Sequence, residues 1–279
     1  MKERISLTIE KELLREIDRI TKSIYRSRSD AFESIVRSYL RGQRHAVILA
    51  GGEAKNLYIR ELRTYRPLVS IGDRLLIEDS IAKCRLAGFV NISIIGSPLL
   101  LAKLYEVLGD GEQLGVTLNY IQEKKLQGSA KTLALARSVI TSDFLFLPCD
   151  FYFDLDLASL YAFHRQQNTI ATIGVFAGTT HSWRRGIVTL DGPLIMNYEE
   201  RPKVPQTTLI GLFLGFMKPD IFTQIPPGTL NWSLQDDVFP RLAHKKQLAG
   251  CSVSGSWVNV HTKADVEAVK RLTNTAHQH

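Results

Sequence analysis

The sequence predicts an α/β protein in two parts: a short strand–helix–helix unit, then a mostly parallel sheet domain. Three observations carry that expectation. Residues 1–44 hold eleven basic and seven acidic side chains, so +4 of the overall +7 lies in less than a sixth of the 279 residues. Within that segment the apolar period switches from two to the helical spacing. From His45 onward, continuous apolar runs alternate with amphipathic patterns, as in sheets whose strands are buried on both faces.

The first strand is Arg4 to Ile9, where Ile5, Leu7 and Ile9 alternate with Arg4, Ser6 and Thr8. Leu13, Leu14, Ile17 and Ile20 then recur at helical spacing. After the polar break at Tyr25–Arg28, Ser29 is placed to cap a second helix carrying Phe32, Ile35, Val36, Tyr39 and Leu40 and ending at Gly42. About forty residues lie near the lower limit for an independent core, so a second copy is expected to complete this unit.

This layout, with Ser27 to Ala31 opening the second helix, resembles the ribbon-helix-helix repressors. The resemblance implies a homodimer through residues 1–44 on double-stranded DNA. Arg4, Ser6 and Thr8 would face the bases of the major groove, and Arg28 and Ser29 would meet a phosphate. The plainer alternatives are a solvated edge strand, or the same unit used for dimerisation alone.

In residues 45–279 the expected strands are His45–Ala50, Asn91–Ile95, Val116–Ile121, Phe144–Leu147 and Thr169–Phe176. Helices are expected near 75–87, 98–108, 130–140 and 155–167. Ligands in such sheets lie beyond the carboxyl ends of the strands. Several segments follow one another along this domain: Leu49-Ala50-Gly51-Gly52, Arg66-Pro67-Leu68-Val69, Gly128-Ser129-Ala130, Phe144 to Asp150, Gly186-Ile187-Val188, Glu200-Arg201-Pro202, Asp236-Asp237-Val238-Phe239-Pro240 and Trp257-Val258-Asn259-Val260.

Taken in order, these segments resemble the sugar-1-phosphate nucleotidyltransferases, which join a sugar phosphate to a nucleoside triphosphate. The resemblance implies a Rossmann-like, glycosyltransferase-A-like fold. It assigns Leu49, Gly51, Gly52, Arg66, Gly128, Asp150, Gly186, Glu200 and Arg201 to ligand binding. Arg66 and Asp150 would be the catalytic pair of an active protein, and Asp150 with Asn259 the candidate Mg²⁺ ligands.

The departures from the family pattern point the other way. The family's phosphate loop continues to a third glycine and an arginine, where this chain has Ala54 and Asn56. The second metal-binding Asp is Asn259, and the catalytic lysine is Arg66. The expectation is therefore a DNA-binding transcriptional regulator whose degenerate domain binds a nucleotide sugar or nucleotide as effector. The alternative is an active Mg²⁺-dependent transferase whose N-terminal unit binds DNA or oligomerises it, as a dimer or tetramer. A structural scaffold with an empty second domain is the third possibility.

Other features are read plainly. Asp150 and Glu200 have the ordinary readings of a loop-entry acid and a solvated charge beside Glu199. His164, His181, His244 and His261 lack ligand spacing, and Leu155 to Phe163 reads as core. Cys84, Cys149 and Cys251 lie far apart and are expected to be reduced thiols. Without a run of about 20 apolar residues or a signal-like start, a cytoplasmic protein with no membrane partner is expected.

Overall fold

The computed structural model describes residues 5–42, 44–178 and 185–276. The chain divides into two compact units, Met1–Gln43 and Arg44–His279.

In the first unit, α1 (Lys11–Ile24) and α2 (Arg28–Gly42) pack through Ile17, 7% exposed, and the fully buried Ala31. Arg4 lies outside the described residues. The strand expected over 4–9 is not formed over its described residues: residues 5–10 belong to no helix or strand and have no ladder partner among the described residues. The physical reason is plain, since a lone two-sided segment has nothing in its own unit to hydrogen-bond. Ile5 and Leu7 consequently remain 69% and 54% exposed.

The start of α2 also differs from expectation. Ser27, not Ser29, is the cap, because its Oγ accepts the Asp30 N–H at 3.2 Å, and Asp30 in turn accepts the Arg26 N–H. Arg28 turns inward to Asp18, with Nε and Nη2 donating to its two carboxylate oxygens at 2.5 and 2.6 Å. This fork-on-fork geometry raises the Arg28 pKa. Ser6, Thr8 and Ser29 are exposed.

The second unit is built in chain order from β1 (His45–Ala50), β2 (Tyr58–Ile59), β3 (Thr64–Tyr65), α3 (Leu76–Leu86), β4 (Asn91–Gly96), α4 (Pro98–Leu108), β5 (Thr117–Gln122), α5 (Ser129–Ala134) and β6 (Phe144–Pro148). Then follow β7 (Phe151–Asp154), α6 (Leu157–Gln166), β8 (Ala171–Ala177), β9 (Gly186–Asp191), β10 (Leu194–Glu200), β11 (Leu209–Met217), α7 (Phe239–His244), β12 (Leu248–Ser252), β13 (Ser256–Asn259) and α8 (Lys263–Ala276).

Nine strands form one sheet in the order β5-β4-β1-β6-β11-β8-β12-β10-β9. The half containing β5, β4, β1 and β6 is parallel, but β11 runs antiparallel to both β6 and β8, and β9 and β10 form a hairpin. The sheet is therefore more mixed than the apolar runs suggested. Strands buried on both faces read as apolar in either direction, so composition could not orient them.

Helix α5 ends six residues earlier than expected, at Ala134. The chain continues in tighter turns, with Leu135, Ala136 and Arg137 each bonding three residues back. The segment Leu157–Gln166 packs as core through Leu157 and Leu160, as the sequence suggested. His164 is fully buried with Nδ1 2.8 Å from the Thr172 hydroxyl, and burial lowers its pKa to about 4. Cys84 and Cys149 are buried, Cys251 is partly buried, and all three are free. No helix among the described residues is long and apolar enough to cross a membrane.

Candidate active site

The parallel half of the sheet brings the ends of β1, β5 and β6 to one edge. There they line a cleft of about 280 Å³ formed by Leu49, Gly51, Gly52, Leu57, Glu123, Leu126, Gly128, Ser129, Thr132, Pro148, Cys149, Asp150 and Phe213. Five of the residues expected to bind ligand, Leu49, Gly51, Gly52, Gly128 and Asp150, are thus brought together.

The glycine turn after β1 is held by a carboxylate that sequence reasoning missed. Glu123, only 4% exposed, accepts the Gly52 N–H at 2.8 Å and the Thr132 hydroxyl. A Cβ at Gly51 would lie 2.7 Å from Thr132 Oγ1 and 2.9 Å from Glu123 Oε2, so the turn closes only over hydrogen. Glu123 directly follows Gln122, the last residue of β5. The rule placing ligands at strand ends was the signal that could have found it.

The loop beyond Gly52 is a 3₁₀ turn over Ala54–Leu57. Lys55 pairs with Glu53 at 2.6 Å on the exposed surface of that turn. The loop therefore supplies no unpaired cation from Lys55, and Asn56 stands where the family has arginine.

Asp150 lies in the turn between β6 and β7. Its Oδ2 accepts Arg66 Nη1 at 2.9 Å, and His261 Nε2 lies 3.5 Å away. Both members of the Arg66–Asp150 pair are largely shielded from solvent. Arg66 Nε is buried without a hydrogen-bond partner. His261 was dismissed on spacing, yet β13 carries it here. Asn259 pairs with Phe151, and the Val260 N–H donates to the Asp150 carbonyl at 2.8 Å. Burial lowers the His261 pKa, Asp150 pulls it back up, and the Arg66 and Arg201 charges lower it further.

A second group forms on β9 and β10. Glu200, at the end of β10, is opposite Gly186 in the ladder. Its Oε2 accepts Tyr198 Oη at 3.1 Å and Gln235 Nε2 at 3.2 Å, while Oε1 lies 3.3 Å from Arg201 Nε. Burial raises the Glu200 pKa, and these donors oppose the shift. Glu200 is thus a held group, not a free surface charge. A Cβ on Gly186 would overlap the Tyr198 hydroxyl and approach Glu200 Oε2 to 3.0 Å, which accounts for glycine there.

The donor set was tested against Mg²⁺. No cluster of three or more His, Cys, Asp or Glu that could hold a metal exists among the described residues. One carboxylate, Asp150, and one amide, Asn259, remain. That set is too small for a resident cation but matches Mg²⁺ carried in on substrate phosphates, which needs only one or two protein carboxylates.

A glycine turn after the central parallel strand, an acid at the end of its neighbour and a shaped cleft between them make an α/β protein with its candidate site at the strand ends. Residues 45–274 match the Nucleotidyl transferase family, and the chain belongs to it. It is 27% identical over 226 residues to the mannose-1-phosphate guanylyltransferase catalytic subunit beta of Dictyostelium discoideum, covering 79% of this chain and 62% of that protein. It is 26% identical over 231 residues to a mannose-1-phosphate guanyltransferase of Schizosaccharomyces pombe, covering 79% and 61%. The chain thus spans about three-fifths of the length of these relatives. A solved structure from Bacillus anthracis, described as a glucose-1-phosphate thymidylyltransferase, superposes with a TM-score of 0.73 at 21% identity. It covers 82% of this chain and 94% of its own, and supports the fold.

Proposed function

We propose that residues 44–279 transfer a nucleotidyl group from a nucleoside triphosphate to a sugar 1-phosphate, with GTP as the preferred donor. A sugar phosphate oxygen attacks the α-phosphorus, the bond to the β-phosphate breaks, and pyrophosphate leaves. This reverses the priority set by the loop sequence, which favoured an effector-binding regulator. The observation that carries the new order is Asp150 held against Arg66 beside the Gly51–Gly52 turn, in one cleft with Gly128. The guanylyltransferase relatives support the same order.

Each end of the site has a task. Gly128 and Ser129 receive the base, and the nearby Glu123 carboxylate, an acceptor only, suits the N–H donors of guanine. Arg66 places a guanidinium charge near the phosphate oxygens and stabilises charge that develops on them. Glu200 accepts sugar hydroxyls, and Arg201 offers a cation to the sugar phosphate. Mg²⁺, when bound with the triphosphate on Asp150 and Asn259, would neutralise phosphate charge. Without the loop arginine and the second Asp, turnover is slow, because each such group is typically worth about 10²–10³ in rate.

The test is pyrophosphate release from GTP and a panel of hexose 1-phosphates. Release is expected with GTP above other triphosphates, and Asp150→Ala should abolish it. Nucleotide binding with no release from any pair would overturn the transferase reading.

A second reading is favoured by a separate observation, the unpaired segment 5–10 with Ile5 and Leu7 exposed. On this reading two copies pair these segments into a ribbon on double-stranded DNA, with Arg4, Ser6 and Thr8 facing the bases. The second unit then acts as the sensor. Arg28 would have to exchange Asp18 for phosphate. A mobility-shift assay on the upstream region, with and without nucleotide sugar, tests it. Absence of a sequence-specific shift at moderate salt would refute it.

A further inference from the structure

The chain between Thr229 and Val238 touches both ends of the site. At the base end, the Trp232 N–H donates to the Gln127 carbonyl at 2.7 Å, and the Ala130 N–H donates to the Trp232 carbonyl at 3.0 Å. The Leu234 N–H donates to Ser129 Oγ at 2.9 Å, and Gln127 Nε2 reaches the Thr229 carbonyl at 2.7 Å. The next residue serves the other end, since Gln235 Nε2 donates to Glu200 Oε2 at 3.2 Å.

Residues Leu234–Val238 form a single π-helical turn, a widened geometry frequent at functional sites. Its backbone is fixed at both edges. Ser233 Oγ accepts the Gln235 and Asp236 N–H groups, and the Asp237 carboxylate accepts the Ser233 N–H at 2.8 Å. Leu234, Val238 and Phe239 are buried, and Phe239 meets Tyr198 edge-on at 5.3 Å. Tyr198 is the other donor to Glu200. A shift of the Ser129 turn must therefore move Leu234, and with it Gln235.

We propose that Gln235 is a positioning residue for the sugar-side carboxylate Glu200, and that the Trp232–Gln235 strap couples base occupancy at Ser129 to the grip on the sugar. This inference rests on the transferase reading, because it takes Glu200 as the sugar contact. A base that docks on Gly128–Ser129 fixes the strap, holds Gln235 on Glu200 and makes the sugar subsite competent. Without the base the strap relaxes and the carboxylate loses one of its two neutral donors. The coupling is reciprocal, so sugar phosphate tightens the nucleotide by the same factor.

The test is calorimetry on the full chain with Mg²⁺. Mannose 1-phosphate and glucose 1-phosphate are titrated with and without a GTP analogue carrying an α,β-methylene bridge, which cannot be cleaved. In the native chain the analogue is expected to tighten sugar phosphate at least fivefold, the low end of ordinary coupling. Gln235→Ala should bring that ratio below about twofold while leaving nucleotide affinity in the absence of sugar within about threefold. Ser129→Ala, which removes the acceptor for Leu234, should also lower the ratio and provides a second variant should Gln235→Ala fold poorly. Both ligands binding the native chain independently, or an unchanged ratio in the folded variants, would overturn the coupling and spare the transferase reading. Failure of either ligand to bind the native chain would overturn both.

Discussion

Gly52 and Gly128 make a controlled pair for testing the site's geometry. Both have positive φ, +94° and +89°, but their surroundings differ. A Cβ at Gly52 would meet nothing within 4 Å, whereas one at Gly128 would overlap the Trp232 carbonyl oxygen and come within 2.7 Å of its carbon. Gly52→Ala should therefore cost backbone strain alone, about 1–2 kcal/mol. Gly128→Ala carries at least the same strain, since its ψ of 160° lies in a region reserved almost wholly for glycine.

The overlap adds to that strain. Relief requires moving a peptide whose two hydrogen bonds, to Gln127 and from Ala130, are worth about 1 kcal/mol each. The expected total for Gly128→Ala is about 3–5 kcal/mol, roughly 2 kcal/mol beyond Gly52→Ala. Urea unfolding read by tryptophan fluorescence isolates the relevant unit, because Trp183, Trp232 and Trp257 all belong to residues 44–279. Equal destabilisation of the two variants within about 0.5 kcal/mol, at unchanged denaturant slope, would refute the claim that Trp232 braces the Gly128 turn.

Further outcomes follow from the charges. Asp150→Asn should lower turnover by about 10²-fold or more, checked by pyrophosphate release, because it unpairs Arg66 and removes the one carboxylate beside Asn259. Combining Asn56→Arg with Asn259→Asp should raise turnover about 10- to 100-fold over the native chain; no gain would mean the departures are compensated elsewhere. Mg²⁺ alone should leave the thermal midpoint unchanged, while Mg²⁺ with GTP should raise it, as scanning fluorimetry would show. His164, with a folded pKa of about 4 against an ordinary 6.5, keeps its full contribution above pH 6.5. That contribution falls as pH drops towards 4, by up to about 3 kcal/mol. His164→Gln should flatten the acid limb of a stability–pH profile.

The sequence made most of the α/β unit legible because its signals are local. Apolar runs marked β1, β4 and β6, and the ordered motifs put Gly51, Gly128 and Asp150 at one edge of the sheet. Strand direction was not legible, since β11 is as apolar as the parallel strands beside it. Glu123 and His261 escaped because their importance depends on register. Glu123 reaches Gly52 from 71 positions away, and His261 reaches Asp150 only because β13 pairs with β7. Gln235 stands immediately before the Asp236–Pro240 motif, and only the widened turn shows which way it serves. In the first unit the alternation over 4–9 was visible, but the strand it predicts needs a partner that one chain cannot supply.

The departures from the family pattern are not scattered through the site. On the proposed reading Ala54, Asn56 and Asn259 would serve the phosphate and metal side, whereas Glu123, Ser129, Gly186 and Glu200, tied into hydrogen-bonded or close-packed contacts, would serve the base and sugar ends. Losing two preorganised groups lowers a typical turnover of about 10 s⁻¹ by roughly 10⁴, to about 10⁻³ s⁻¹. A site that turns over once in roughly a quarter of an hour equilibrates with its ligands between turnovers, so their concentrations and affinities set its occupancy. Occupancy, rather than flux, is then the quantity such a domain reports. Turnover rate and sequence-specific DNA binding are therefore the two measurements that separate the transferase and sensor readings, because both require the same two binding ends to be intact.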